Sequence, residues 1–297
     1  MKKKAIAVIC SVAALIISTV CIVISPMIQV HKAEKPAKLL WDVKDHNENP
    51  EQHIELSFRC MNERRRIISH SSLFHYDGTV LLTISTRGIP LFFPYADESY
   101  DISLSPGEFG FDDSERTIRK IVLISDDDEL VLWEEEVIVD RLTAQMFAIA
   151  TNDKVTLDGR IDALLTCFGV DGWAPQQKDA DGSYPSGFGS RLTETDAGYK
   201  LEVAINGDVV LYEKPDALKE LQKYSCILIA LIDDLDEVTW NYSFNGKTET
   251  LRFETSDAVA MLGPENGGRQ IKEYGRTAGG LQKVMNAIDF LPSVFIG

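Results

Sequence analysis

The sequence predicts an α+β fold, with an N-terminal membrane helix, a β-rich region, and a C-terminal α+β domain of antiparallel hairpins packed on helices. Three observations predict it. An uncharged run opens the chain, strand-like alternation dominates residues 53–138, and helical spacing appears only after residue 139. Because strands and helices cluster along the chain and do not alternate strictly, we expect α+β rather than α/β topology.

The uncharged run covers residues 5–25 and follows Lys2, Lys3 and Lys4. At about 1.5 Å per helical residue, its length matches the roughly 30 Å of bilayer hydrocarbon. The lysines favour the cytoplasmic side, which places everything after Pro26 outside the cell. We therefore predict a cytoplasmic tip and transmembrane anchor over residues 1–27.

Two other interpretations of this segment stay open, namely a cleaved secretion signal and a lipid-attached Cys21. A cleaved signal has an apolar core of about 7–15 residues that ends in small residues. Here the run is longer, and Pro26 follows Ser25 directly. Lipid attachment favours a small residue before the cysteine, where this chain has Val20. An uncleaved anchor fits these residues better than either alternative.

The charge of the chain limits its partners. The net charge is −16, and setting aside the three lysines before the anchor leaves −19 on the remainder. Such a surface repels nucleic acid and anionic lipid headgroups. We therefore expect no nucleic-acid partner, membrane contact through residues 5–25, and a partner that is another membrane protein or a cell-envelope component.

The five cysteines do not predict a disulfide framework. Cys10 and Cys21 lie in the expected anchor, which leaves Cys60, Cys167 and Cys226 outside it. Three thiols allow at most one bridge with one thiol left over. The last two lie in apolar runs, where a small buried side chain is the expected role.

Residues 28–52 are mixed and polar and predict a stalk, whereas residues 53–138 predict a β-rich region. The tripeptide Tyr76-Asp77-Gly78 is a turn signal, and the acids at 126–128 indicate a hairpin between the last two strands. The expected strands are 53–60, 79–85, 101–105, 118–125 and 129–137.

Residues 139–291 predict the C-terminal α+β domain. Helical spacing covers 140–150 and 158–168, and a loop rich in Gly, Asp and Pro covers 170–189. Two strand patterns follow at 189–195 and 199–205. Pro215 then opens a helix whose second half, residues 224–232, is apolar on all sides, as in a helix buried on most faces.

Alternating apolar side chains follow this helix and predict a β-hairpin. The pair Asn245–Gly246 supplies the positive φ angles that a two-residue hairpin turn requires. Counting back across this turn places Trp240 opposite Leu251 and Val238 opposite Phe253. Apolar side chains then face each other on one side of the hairpin, so the register is internally consistent.

Four acids stand between the buried helix and this hairpin, in the stretch Asp233-Asp234-Leu235-Asp236-Glu237, hereafter the acidic corner. A helical calcium-binding loop needs Gly at its sixth position and Glu at its twelfth. Counted from Asp233, those positions hold Val238 and Phe244. The spacing predicts a solvated corner, and the calcium-like fragment 179–183 is equally consistent with a plain glycine turn.

Histidines and acids near the start of the β-rich region suggest a zinc site only weakly. His46, Glu48, His53 and Glu55 have suitable side chains, but no second cluster completes a set of four ligands. The chain also has no pair of histidines at i and i+4 with an intervening glutamate, the pattern of zinc proteases. A surface role for these residues is the favoured interpretation.

A second group, His70, Ser71, Ser72 and Asp77, contains the residue types of a hydrolase triad. Nothing around these residues resembles the strained Gly-x-Ser-x-Gly turn of a nucleophilic serine, so we interpret their proximity as chance. Gly-rich phosphate-binding patterns are also absent from the sequence. We assign no catalytic, cofactor-binding or metal residue and expect no cofactor.

The order of features in the second half resembles a bacterial family, the domain-of-unknown-function family numbered 4825. The resemblance spans roughly 140–290 and rests on YKLEVAI (199–205), LQKYSCILIALIDDLDEVTWNY (221–242) and the tail at 256–288. That tail contains a Leu-Gly…Ile-Lys-x-Tyr-Gly pattern, and VLWEEEV (131–137) resembles the usual lead-in.

The resemblance implies a place and an architecture rather than a reaction. The family occurs on membrane-anchored proteins of Gram-positive bacteria and at the extracytoplasmic end of metallopeptidase receptors related to β-lactam sensors. Its Pro-Tyr-x-Gly-Asp segment corresponds here to residues 149–153, which read Ile-Ala-Thr-Asn-Asp. This departure puts any ligand surface formed by that segment in doubt.

Two functions are consistent with these residues. The preferred expectation is a non-enzymatic, membrane-anchored extracytoplasmic module that binds or senses a ligand or partner. The cytoplasmic side offers only the residues MKKK, so a signal would pass through a partner protein. The alternative is a cell-surface hydrolase with a weak carboxylate or zinc site.

Overall fold

The computed structural model describes ten segments of the chain and divides it into two compact units, residues 1–138 and 139–297. The described residues are 32–45, 52–62, 64–89, 99–110, 117–125, 128–134, 137–174, 187–196, 198–263 and 270–290. Within these segments no helix has the length and apolar character needed to cross a bilayer. The expected anchor at 5–25 lies outside them.

In the part of the first unit that the structure describes there are nine strands. They are β1 (Lys32–Ala33), β2 (Leu39–Asp45), β3 (Ile54–Cys60), β4 (Arg65–Phe74), β5 (Thr79–Gly88), β6 (Tyr100–Leu104), β7 (Lys120–Ile124), β8 (Glu129–Glu134) and β9 (Val137–Ile138). Short 3-10 helices occupy Pro36–Lys38 and Pro106–Phe109.

Strand β5 organises the larger sheet of this unit. It pairs antiparallel with β4 along its length, parallel with β7 at Thr79–Leu82, and antiparallel with β1 at Ser85–Thr86. Strands β7, β8 and β9 continue the sheet as antiparallel neighbours. The predicted hairpin between β7 and β8 is therefore confirmed.

The smaller sheet has the order β2-β3-β6, with antiparallel pairing throughout. Side chains from both sheets form one apolar core, and alternate residues of β3, β5 and β6 enter it as the two-residue period requires. Its fully buried members include Leu39, Phe58, Leu82, Leu123 and Trp133.

The structure differs from the expected polar stalk at 28–52. Strands β1 and β2 lie inside that range, and the side chains of Leu39 and Val43 are buried in the core. The physical reason is non-local, because β2 pairs with β3 from Leu39 opposite Cys60 to Asp45 opposite Ile54. Polar residues on the outer face of β2 give this strand the composition of a connecting segment.

The described residues of the second unit form six α-helices, a short 3-10 helix at Val170–Gly172 and four strands. The helices are α1 (Arg141–Ala150), α2 (Leu157–Cys167), α3 (Lys214–Leu231), α4 (Thr255–Leu262), α5 (Ile271–Tyr274) and α6 (Ala278–Ala287). The strands are β10 (Phe188–Thr195), β11 (Gly198–Asp208), β12 (Leu235–Phe244) and β13 (Lys247–Glu254).

Local chemistry explains where the helices start. The Asp140 carboxylate accepts a hydrogen bond from the backbone N–H of Thr143 at 2.7 Å, which caps α1. Thr156 caps α2 in the same way. Pro215, in the first turn of α3, fits the helical φ angle and needs no hydrogen-bond acceptor. The helices expected at 140–150 and 158–168 are confirmed to within one residue.

The sheet of this unit has the order β10-β11-β12-β13, and only β11 and β12 run parallel. Helix α3 is the crossover between these two strands, as a parallel connection requires. One face of the sheet is apolar and belongs to the core, with Leu201, Val203, Val238 and Trp240 buried. The second half of α3 joins this core, which confirms the predicted buried helix.

The hairpin β12–β13 has the predicted register, with Trp240 opposite Leu251 and Val238 opposite Phe253. Both turn residues, Asn245–Gly246, have positive φ angles, of 52° and 71°. The overall class, α+β with mixed sheets, is likewise confirmed. Parallel pairing of β11 with β12 was not predicted.

Candidate functional site

The acidic corner connects the end of α3 to the start of β12. Ile232 follows the last helical residue, and Asp234 adopts a left-handed conformation with φ of 58°. Asp233 and Asp234 are exposed, whereas Leu235 is fully buried and begins the strand. Aspartate tolerates this backbone conformation better than most residues, which explains a polar residue at the turn.

A lysine from a distant element enters this corner. The Nζ atom of Lys272, in α5, donates hydrogen bonds of 2.7 Å to the carbonyl oxygens of Ile232 and Leu235. Burial lowers the pKa of the Lys272 ammonium to about 8, and the nearby carboxylates of Asp236, Asp233 and Asp234 act in the opposite direction. The corner thus contains a cation that the chain itself provides.

Beside the corner, one carboxylate holds two cations. Glu237 lies 2.9 Å from Lys200 Nζ and 2.7 Å from an Arg252 guanidinium nitrogen. Although partial burial raises the pKa of Glu237, the hydrogen bonds from Lys200 and Arg252 bring it below its usual value. Arg252 also contacts Glu254 at 2.8 Å. Glu237 is therefore an ionised acceptor at neutral pH and not a proton donor.

These charged side chains line an open groove on the second unit. It crosses the sheet where β10 and β13 end and β11 and β12 begin. Its lining, hereafter the charged groove, is Thr195, Lys200, Asp236, Glu237, Arg252, Glu254, Thr255 and Ser256. Cations, carboxylates and hydroxyls are therefore all within reach of one bound molecule.

The residue types of a hydrolase triad serve separate purposes in the structure. The His70 imidazole, on β4, lies 3.1 Å from the hydroxyl of Tyr100, at the start of β6. The Asp77 carboxylate accepts a hydrogen bond from the backbone N–H of Thr79 at 2.9 Å, within the β4–β5 turn. This backbone hydrogen bond is the main cause of the lowered pKa of Asp77.

Two of the four suggested zinc ligands are described. The His53 ring lies 3.6 Å from the Glu55 carboxylate and within 3.5 Å of the Ser103 hydroxyl. His46 and Glu48 lie outside the described residues, as does the fragment 179–183. In the ranges that are described, no group of three or more His, Cys, Asp or Glu side chains is placed to share a metal ion.

The thiols of Cys60, Cys167 and Cys226 are free. Burial raises the pKa of Cys60 to about 11, with Glu34 adding to this effect, and burial raises that of Cys226 to about 12. Burial likewise raises the pKa of Cys167. Since the thiolate is the reactive form, these thiols are poor nucleophiles at neutral pH.

The sequence did not reveal the cations that meet the acids. Lys200 lies beside Glu237 because β11 and β12 pair in parallel. The register of two parallel strands joined by a helical crossover cannot be determined from local periodicity. Lys272 belongs to the Ile-Lys-x-Tyr-Gly pattern, and the sequence does not indicate which groups its side chain contacts. The ion pair of Arg252 with Glu237 could have been predicted, because the predicted register places Arg252 opposite Thr239, which lies on the same face of the strand as Glu237.

Comparison with known proteins found no matching family model, no matching curated protein and no matching solved structure. The resemblance to the domain-of-unknown-function family numbered 4825 therefore stays a prediction.

Proposed function

We propose that this chain is a single-pass, membrane-anchored extracytoplasmic module that binds a ligand or partner without performing chemistry. The uncharged run at 5–25, with lysines on one side only, supports the anchor and its orientation. The charged groove supports binding, because it is an open surface that presents charges of both signs.

The observation that carries this proposal is the internal pairing of the acids. The carboxylates considered for catalysis or metal binding have cations from the chain beside them. Lys272 lies at the acidic corner, and Lys200 and Arg252 contact Glu237. A catalytic carboxylate pair needs one member with a raised pKa to act as the acid. Glu237 is shifted in the other direction.

The groove fits a small molecule or chain terminus with both an amine and a carboxylate. Arg252 is 57% exposed at its side chain, and its contact with Glu254 is a surface ion pair. Such pairs contribute little to stability, so a ligand carboxylate can replace Glu254 on the guanidinium at small cost. The Glu254 carboxylate, which also accepts a hydrogen bond from the backbone N–H of Asp257 at the start of α4, then accepts one from the ligand amine.

Ligand binding is tested with two probes of matched composition. The zwitterionic dipeptide Ala-Ala, whose only charges are its terminal amine and carboxylate, should raise the thermal unfolding midpoint saturably, because a ligand that binds only the folded state stabilises it. The same dipeptide acetylated and amidated at its ends is the control. The substitution Arg252→Gln should remove the effect. An equal rise in that variant, or none in wild type, would argue against the groove as the site.

The anchor and its orientation are tested in bacterial cells that express the full chain. Protease added outside intact protoplasts should digest both units, and the chain should co-fractionate with the membrane after alkaline washing. A chain that external protease spares would have the opposite orientation. Release of the chain by washing would indicate a cleaved segment.

A further inference from the structure

Strand β4 of the first unit has one side that pairs with no other described strand. Its other side pairs with β5, and the backbone groups of residues 69–73 form no hydrogen bond to any further described element. The backbone N–H of His75 donates to the carbonyl of Thr79. Because antiparallel ladders alternate, the backbone groups of Ser72 and His70 then point away from β5. Residues 69–73 therefore present a free strand edge, hereafter the β4 edge.

A bulge confines this free edge to the second half of β4. The pairing with β5 shifts between Ile67 and Ser69, which leaves Ile68 as an extra residue. A bulge bends and twists a strand, so it hinders pairing with a further strand at that point. From Ser69 to Phe74 the register is regular, and the five residues of the β4 edge span about 17 Å.

The other edge strands in the described part of the chain have features that oppose strand addition. Proteins protect exposed edges with charged residues, proline, bulges or short strands. Strands β1 and β9 have two residues each and β6 has five, while charged side chains interrupt β2, β10 and β13. Residues 67–74 of β4, by contrast, contain no Asp, Glu, Lys, Arg or Pro. Sequence chemistry thus leaves the β4 edge open to another strand.

Accessible side chains accompany the free backbone groups. Leu73 is 59% exposed, and His70 and Ser71 are also exposed. Ser71 and Leu73 share one face of the strand, as the two-residue period requires. A strand added along this edge would place its own side chains beside them, so cross-strand contacts would add to the backbone hydrogen bonds.

The charges at the two ends of β4 favour a second copy of the chain as the added strand. Two copies that meet through the same edge are related by a two-fold axis, so their strands run antiparallel. Arg66, exposed at the start of β4, then lies towards the end where the second copy carries Asp77, exposed just beyond its β4. The uncharged residues between these ends bring no like charges together.

We propose that the β4 edge pairs antiparallel with the same edge of a second copy, so that the larger sheets of the two copies form one continuous sheet. This inference depends neither on the proposed anchor nor on the charged groove. It assigns self-association to the first unit.

The test is analytical ultracentrifugation of the full chain in detergent, at concentrations from about 1 µM to about 1 mM, which covers weak to moderate dimers. Wild type should dimerise reversibly. Ser71→Lys with Leu73→Lys should raise the dissociation constant about tenfold or more, because edge lysines oppose strand pairing and the two-fold axis doubles each added charge. Amide hydrogen exchange at His70 and Ser72 should slow as the wild-type concentration rises.

The matched control is Thr248→Lys with Thr250→Lys, which adds the same charge at exposed positions of the edge strand β13. This control should dimerise as wild type does. A wild type that stays monomeric at every concentration would overturn the proposal, as would dimers that Ser71→Lys with Leu73→Lys leaves intact. Exchange at His70 and Ser72 that does not depend on concentration would also overturn it, and this measurement needs only the wild-type fold.

Discussion

Lys272 shows how a single residue changes the meaning of an acidic cluster. Three aspartates within four positions suggest a cation site, and the structure places the protein's own ammonium group among them. Both of its hydrogen bonds go to backbone carbonyls at the end of α3 and the start of β12. The lysine therefore links two elements as well as balancing charge.

This arrangement predicts a specific pH dependence of stability. The pKa of Lys272 is about 8 in the folded protein, against about 10.4 in an unfolded chain. Between these values the unfolded state binds more protons, so the free energy of unfolding should rise with pH through this window. Urea unfolding between pH 7 and 10 measures it, with Lys272→Met as the reference that lacks the titrating group.

The contribution of Lys272 is the difference between wild type and that variant at each pH. Wild type should gain stability relative to Lys272→Met as pH rises above about 8. A relative loss over the same range would mean that the aspartates outweigh burial and raise the pKa instead.

Asp234 predicts a contrast between two substitutions at one position. Its φ angle of 58° suits Asn, so Asp234→Asn should change the free energy of unfolding by less than about 0.5 kcal/mol. A β-branched residue strains this conformation, and Asp234→Val should cost about 1–2 kcal/mol. Unfolding is measured with and without calcium, and a calcium-dependent rise in midpoint that Asp234→Asn abolishes would revive the metal-site interpretation.

At the scale of elements, the β12–β13 hairpin and helix α3 depend on each other. Trp240 is fully buried, and its indole N–H donates to the Ser225 hydroxyl of α3 at 2.8 Å. That hydroxyl in turn donates to the carbonyl of Leu221 at 2.7 Å. The indole thus fills the space between sheet and helix and satisfies its one polar group.

Removing this side chain should be costly for the second unit. Trp240→Ala should lower the free energy of unfolding by about 3–5 kcal/mol, because a large buried aromatic leaves a cavity. The matched control is Asn241→Ala on the other face of β12, where the amide accepts a hydrogen bond from Thr250 near solvent. Its expected cost is about 1 kcal/mol. Similar costs for the two variants would contradict the assigned faces.

Gly275 has a packing role that follows from the close approach of two elements. A Cβ atom at this position would overlap the backbone carbonyl of Ala230 in α3, although its φ of −73° suits any residue. Gly275→Ala should therefore cost about 1–3 kcal/mol or more through overpacking. Gly172→Ala is the control, since a Cβ atom added at Gly172 would meet no other atom within 4 Å. Thermal or urea unfolding of the two variants, compared side by side, measures the difference.

On the scale of the whole molecule, two separate apolar cores account for two compact units. One core uses only residues from 39 to 133, and the other only residues from 146 to 290. Each unit therefore has a hydrophobic core of its own that stabilises its fold, as domains of this size do.

Separate cores predict two unfolding transitions. Calorimetry of the protein should resolve both transitions. Trp240→Ala should lower only the midpoint of the second unit, and Phe58→Ala, at a fully buried position in the other core, should lower only the midpoint of the first unit. A single transition that both variants lower equally would show that the two units unfold as one cooperative block.

The sequence by itself determined the features that depend on neighbouring residues. The register of the β12–β13 hairpin follows from the turn at Asn245–Gly246 together with a two-residue alternation, both of which are local. The burial of α3 follows from an apolar surface on all sides. Helix starts at Asp140 and Thr156 follow from capping side chains within three residues of the groups that they satisfy.

Only the tertiary structure decided which distant residues meet. Parallel pairing of β11 and β12 brings Lys200 to Glu237, and the packing of α5 brings Lys272 to the acidic corner. Strand β2, at 39–45, likewise exists because β3 pairs with it. Local periodicity specifies which face of an element is apolar, but not which partner covers it. The partner depends on the total burial and hydrogen bonding of the assembled chain.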